Sequence, residues 1–301
     1  MAKEDAMIPT SQPPRPSSAP EKAAPVGAID SHIHILAGPE EAALSHTRGE
    51  NPAEGLDMDG FIARYRQQMD SLRIARAVIV HSILYGADNS VTLEAIRRLG
   101  SNAARGVGLV KDGAAETELD ALAEAHIKAI RLNFVHGGVL SWDGVQALAP
   151  ALADRNMHIQ MLLNTDEHIV DLADDIRALP VPLVIDHIGW PDLAKGADDP
   201  GFQTLCTLMA EGHVYVKLSG LYRLASAPYE ATDDFVAALV RANPERCLWG
   251  SDYPYIMLNG AKMPDAADLL NALHRVVTNA DMRRRIMVET PEQLYGFDPV
   301  T

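Results

Sequence analysis

From Gly27 onward the chain alternates short apolar runs with longer amphipathic ones. The runs GAIDSHI (27–33), ARAVIVHS (75–82), GVGLVK (106–111), IKAIRLN (127–133), HIQMLL (158–163), VPLVID (181–186), HVYVKLS (213–219) and CLWGSD (247–252) read as strands. Most are continuous Val/Ile/Leu runs, as expected of parallel strands covered on both faces. The stretches between them are helix-like. In 142–156, for instance, Val145, Leu148, Ala149 and Leu152 fall at i, i+3, i+4 and i+7. Eight strands alternating with helices over 301 residues predict an α/β protein, a (β/α)8 TIM barrel in a single domain from residue 27 to 301. An open doubly wound sheet is the runner-up. No Gly-rich phosphate loop follows the first strand, which removes the usual nucleotide-binding form of that alternative.

Residues 1–26 differ in kind. They carry prolines at 9, 13, 14, 16, 20 and 25 and few aliphatic side chains, so they cannot bury a core of their own. They read as a tail, disordered or draped over the body. The 41 acidic against 26 basic residues give a net charge of −15. No basic field exists to attract phosphate, which argues against nucleic acid or an anionic membrane as partner. An anionic substrate would therefore need its own arginines inside the site. Cys206 and Cys247 are the only cysteines, too few for a disulfide framework, and burial as small apolar residues is the expected use of both. The N-terminus lacks the order of a signal peptide and no apolar run reaches membrane-spanning length, so a soluble cytoplasmic protein is expected.

A (β/α)8 barrel keeps its chemistry at the C-terminal ends of its strands, so the positions of the polar residues are the test. Residues two apart on a strand face the same way, which puts Asp30, His32 and His34 on one side of the first run. The sixth run ends in Asp186-His187, and the eighth in Ser251-Asp252, followed by Tyr253-Pro254-Tyr255. The fourth ends in Arg131 and Asn133, and the seventh leads into Tyr222-Arg223. A lone His-x-His is more often structural than catalytic, and Ser-Asp-Tyr-Pro alone could be a turn. Their conjunction at successive strand ends is what points to a site. His81 and His136 could edge the mouth; His46, His126, His158, His168, His213 and His274 have surface or packing positions.

The stretches AIDSHIHI, AIRLNFV, VIDHIGWPD, VYVKLSGLYRL and RCLWGSDYP resemble, in this order, the motifs of the amidohydrolase-type lactonases. The nearest resemblance is to the group of 2-pyrone-4,6-dicarboxylate lactonases and sulfomuconolactone hydrolases, from residue 27 to about 297. It implies a distorted (β/α)8 barrel in which His32 and His34 are the first-strand pair, His187 the sixth-strand histidine and Asp252 the eighth-strand carboxylate. Arg131 and Arg223 match positions that hold a substrate's acidic group or ring oxygen. There are departures. The family commonly reads Trp-Pro-His after the catalytic aspartate, where this chain has Tyr253-Pro254-Tyr255. A second arginine after the fourth strand is replaced by VHGG (135–138), and a fifth-strand tyrosine by Leu162. Fewer grips for a second carboxylate weigh against the pyrone dicarboxylate itself.

The implied reaction is hydrolysis of the lactone of a small carboxylated or sulfonated acid, in aromatic catabolism. Asp252 would activate water, and two of the imidazoles or a metal would stabilise the developing oxyanion. Arg131 and Arg223 would hold the acidic group, with Asn133, Tyr222 and Tyr255 bonding to the ring. His32, His34, His187 and Asp252 also form a zinc-type donor set. Because the fourth strand ends in an arginine, which cannot ligate, the expectation is one divalent ion, zinc for preference, or none. Two alternatives share the scaffold: a metal-independent isomerase of aldaric acid lactones and a metal-dependent decarboxylase. The expected partner is the small anionic lactone, and association into a homo-oligomer is compatible with a helix-covered barrel.

Overall fold

The computed structural model describes residues 8–300. Eight parallel strands lie in one sheet in sequence order: β1 (Ile29–Ile33), β2 (Arg76–Val80), β3 (Ala104–Gly108), β4 (Ile127–Asn133), β5 (His158–Leu162), β6 (Leu183–Ile185), β7 (Val214–Leu218) and β8 (Cys247–Trp249). Helices alternate with them: α1 (Met58–Leu72), α2 (Ser90–Leu99), α3 (Glu116–Glu124), α4 (Trp142–Ala153), α5 (Thr165–Ala178) and α6 (Pro200–Glu211). After β7 come α7 (Leu221–Leu224) and α8 (Asp233–Ala242), and after β8 comes α9 (Ala266–Val276). This is the (β/α)8 barrel the alternation predicts.

Local sequence explains where the helices begin. The side chains of Asp57, Ser141, Asp199 and Asp265 each accept a hydrogen bond from a backbone N–H in the first turn of α1, α4, α6 and α9. Pro200 stands at the start of α6, where its missing N–H costs nothing. The helices bury their apolar faces on the strands' outer side chains, and a second apolar cluster fills the bottom of the barrel. It comprises Ile29, Val78, Val80, Val107, Ala129, Val184, Tyr215 and Leu248, and Tyr295 and Phe297 from the C-terminal segment pack into it from below.

The predicted third strand is displaced. The expectation was 106–111, but β3 runs Ala104–Gly108 and leaves Leu109–Lys111 outside it. Arg105 is inside the strand because its guanidinium reaches out of the sheet to the Gly296 carbonyl (2.7 Å) and over the Phe297 ring. The sixth and eighth strands are also shorter than predicted, three residues each.

The ring closes between β1 and β8 through a few bonds at the strand ends. Asp252 N donates to His32 O (2.9 Å) and His34 N to Tyr253 O (2.6 Å). Ser251 donates from N and Oγ to the two oxygens of Asp30 (2.8 and 2.5 Å). Burial pushes the Asp30 carboxyl up to about 6 despite these bonds.

Of the predicted tail, residues 1–7 lie outside the described residues. The remainder is tied to the barrel surface: Ser11 N bonds to Asn51 O, Ala24 N to Leu72 O, and Arg64 to Pro14 O. Ser17 and Ser18 both donate to Asp265.

Candidate active site

The period of two along each strand builds the barrel interior in layers. Above the apolar base lie Gln160, Asp186, Lys217 and His32, all completely buried. His34, His187 and Asp252 follow at the mouth, with Arg131 and Asn133 from the end of β4. Of the residues read from the sequence as the site, His34, His187, Asp252, Arg131, Arg223 and Asn133 line one opening, with His32 directly beneath.

Two glycines make room for the imidazoles. At Gly250 a Cβ would stand 2.7 Å from the Cβ of His32, so only glycine lets β8 lie against β1 here. At Gly220, with φ +69°, a Cβ would stand 2.6 Å from His187 Nδ1. Each imidazole is held through Nδ1. His34 Nδ1 contacts Val80 O (2.8 Å) and His187 Nδ1 contacts Ser219 Oγ (3.0 Å). His32 Nδ1 lies between Asp186 Oδ1 (3.2 Å) and Lys217 Nζ (3.3 Å). The Nε2 atoms of all three turn to Asp252, at 3.6 Å (His32) and 3.7 Å (His34) from Oδ1 and 3.9 Å (His187) from Oδ2. Burial lowers all three imidazoles, His187 to about 3, so they are neutral at neutral pH.

Asp252 has one occupied and one free oxygen. Oδ2 accepts from Tyr222 OH (2.8 Å) and Arg223 Nε (2.9 Å), whereas Oδ1 has no hydrogen-bond partner. Burial alone would raise this carboxyl; the charge of the Arg223 guanidinium overcomes it and holds it below the usual carboxylate range. Arg223 also donates to the Met257 and Ile256 carbonyls, so each of its three nitrogens already has a partner. Tyr222 and Tyr255 stand behind the carboxylate instead of lining the mouth. Tyr255 OH donates to Gln68 Oε1 (2.8 Å), because the left-handed Asp252 and Tyr255 (φ +66° and +67°) turn the chain back toward α1.

Arg131 is different. It is 7% exposed; Nη1 donates to His81 O (2.9 Å) and Nη2 lies 3.8 Å from Asp186 Oδ2, while Nε has no partner. It faces the mouth together with Asn133, His136, Trp190 and Leu162.

The sequence reading gave no role to the ionic layer beneath. Lys217, 0% exposed, donates to Gln160 Oε1 (2.5 Å) and lies 3.6 Å from Asp186 Oδ1; Gln160 Nε2 donates to Asp186 Oδ2 (3.0 Å). Burial lowers the Lys217 ammonium to about 8, against the pull of Asp186. A lysine in the middle of VYVKL was the available signal, since an inward charge in a barrel strand must be paired.

His32, His187 and Asp252 present three donor atoms within 4.8 Å of one another, and His34, the fourth member of the predicted zinc set, lies outside that group. His32 Nε2 and Asp252 Oδ1 are buried without partners, as ligand atoms would be. Two imidazole nitrogens and a carboxylate oxygen suit a divalent ion such as zinc.

The chain belongs to the amidohydrolase family, which it matches over residues 29–297. Within that family it is 32% identical to a 4-sulfomuconolactone hydrolase of Rhizobium radiobacter, over 97% of this chain and 98% of that one. It is 30% identical to a 2-pyrone-4,6-dicarboxylate hydrolase of Comamonas testosteroni, over 94% of each. In fold it is similar to a probable 2-pyrone-4,6-dicarboxylic acid hydrolase of Acinetobacter baumannii crystallised with citric acid (TM-score 0.78, 22% identity, 90% of this chain and 100% of that one). No helix among the described residues is long and apolar enough to cross a membrane.

Proposed function

We propose that the protein hydrolyses the lactone ring of a small organic acid bearing a carboxylate or sulfonate, with Asp252 as the base that activates water. The observation that carries this reading is the free Oδ1 of Asp252, with the neutral imidazoles of His32 and His34 beside it, at the mouth of an amidohydrolase barrel. The water's proton passes to Oδ1 while its oxygen attacks the lactone carbonyl carbon. The neutral imidazole of His187, with Nδ1 accepting from the Ser219 hydroxyl, keeps an Nε2–H that stabilises the oxyanion. The ring C–O bond then breaks, and the proton on Asp252 returns to the leaving alkoxide. With the imidazoles uncharged, Arg223 and the Tyr222 hydroxyl hold Asp252 down, and an anionic substrate beside it raises its basicity. Arg131, with its unpartnered Nε, binds the substrate's acidic group.

His32, His187 and Asp252 are the residues that would hold a single divalent ion. Such an ion supplies Lewis acidity to the carbonyl and lowers the pKa of bound water.

A pH-indicator assay over carboxylated and sulfonated lactones, with and without added zinc, tests the reading. Ring opening should release one proton per turnover, and Asp252→Asn should lose about 10²–10⁴-fold in kcat. Loss of the substrate with a lactone still present and no proton released would mean lactone isomerisation, and full turnover by Asp252→Asn would remove the assigned base.

A further inference from the structure

Most of the room around the site lies beside the reacting groups, not above them. The space over His34, His187 and Asp252 is about 60 Å³, whereas a side chamber of about 450 Å³ opens past Arg131, Asn133 and His136. Its walls are Thr47, Ile83, Leu109, Val139 and Leu140, with the backbone of Gly86, Gly137 and Gly138. Arg131 is the one arginine or lysine in that lining, and it stands at the entrance. His81, also there, is lowered to about 4 by burial and is neutral. At the mouth the other cation, Arg223, is engaged at all three nitrogens by Asp252, Ile256 and Met257. On the far side of Arg223, the recess that includes Lys262 also contains Asp265 and Asp268, which would repel an anion.

We infer that the substrate carries one anionic group, held by Arg131, and an uncharged apolar substituent that occupies the side chamber. The inference rests on the lactone-hydrolase reading and narrows it to monoanionic lactones with an alkyl or similar group on the ring. A second carboxylate or sulfonate entering the chamber would lose hydration against Ile83, Leu109, Val139 and Leu140 without gaining a second arginine or lysine, which is costly. An alkyl group there gains about fourfold in kcat/KM for each buried methylene.

The test compares three butenolides that share one carboxymethyl group: unsubstituted on the ring, ethyl-substituted, and carrying a ring sulfonate. The ethyl compound should exceed the sulfonate at least tenfold in kcat/KM. Val139→Arg, at a half-exposed position of the chamber wall, should move that ratio at least tenfold toward the sulfonate. A wild-type preference for the sulfonate, or a ratio indifferent to Val139→Arg, overturns the inference while leaving lactone hydrolysis standing. If none of the three opens, the hydrolase reading fails and this inference with it.

Discussion

Replacing Gly220 by alanine should cripple turnover while leaving the barrel folded. The added Cβ would stand 2.6 Å from Nδ1, 2.7 Å from Cγ and 2.8 Å from Cβ of His187. The closest of these is 0.8 Å short of the 3.4 Å at which ordinary contact begins. Turning the imidazole about its χ1 bond gives no relief, because the His187 Cβ is itself one of the three atoms. His187 must therefore shift bodily, or the turn after β7 must. Alanine at φ +69° adds about 1–2 kcal/mol of left-handed strain. For a chain of this size that lowers Tm by about 2–4 °C per kcal/mol. The displacement also enters the reacting geometry, since His187 Nε2 lies 3.9 Å from Asp252 Oδ2. A misplacement of about 1 Å there costs on the order of 10²-fold in kcat. Arg131, on the β4 side, is untouched, so KM should change little. Thermal melts and steady-state kinetics on one preparation give both numbers. A lowered Tm with wild-type kcat would refute the placing of His187 among the reacting groups.

Other perturbations separate the remaining parts of the structure. Lys217→Met leaves the Asp186 carboxylate short of its ammonium in a dry interior and should cost about 3–5 kcal/mol in chemical denaturation, whereas Lys217→Met with Asp186→Asn should recover most of that loss. Equal stabilities for the single and double variants would show that the two charges are not coupled. His158, buried at the barrel base, is lowered by burial to about 3, so below about pH 6.5 the unfolded chain binds the extra proton and stability falls as the pH drops toward 3. His158→Gln should make that decline shallower by up to about 1.4 kcal/mol per pH unit, and an unchanged slope in denaturant titrations from pH 6.5 to 4 would discount it. Metal analysis of purified protein should find about one divalent ion per chain, and chelation should lower Tm in the wild type but not in His32→Ala. Full activity and unchanged Tm at negligible metal content would end the metal reading.

The barrel was legible because its strands are buried on both faces and read as near-continuous apolar runs. Where that rule bends, the reading slipped. Arg105, inside β3, fell outside the strand read as 106–111 because its charge leaves the sheet through a contact with Gly296 in the C-terminal segment, far along the chain. His32, His34, His187, Arg131 and Asp252 were readable because each interrupts an apolar run at a strand end. Arg223 was readable as a site residue, but its commitment to Asp252 depends on the turn after β8. Tyr255 was misplaced for the same reason: adjacency to Asp252 suggests the mouth, yet two left-handed residues send the ring backward. The ionic layer of Lys217, Asp186 and Gln160 was hidden because a pairing across three strands has no local spacing to betray it.

The join between β1 and β8 has a kinetic consequence. The bonds that close the ring, Asp252 N to His32 O and His34 N to Tyr253 O, are made by the backbones of three reacting residues and of Tyr253 next to Asp252. Fraying at that join pulls the imidazole pair away from the carboxylate while the other seven strand pairings stay intact. Inactivation on heating should then follow the rate of this small opening and run ahead of the circular dichroism signal, so the useful lifetime of the catalyst is set by one hinge line rather than by the whole barrel.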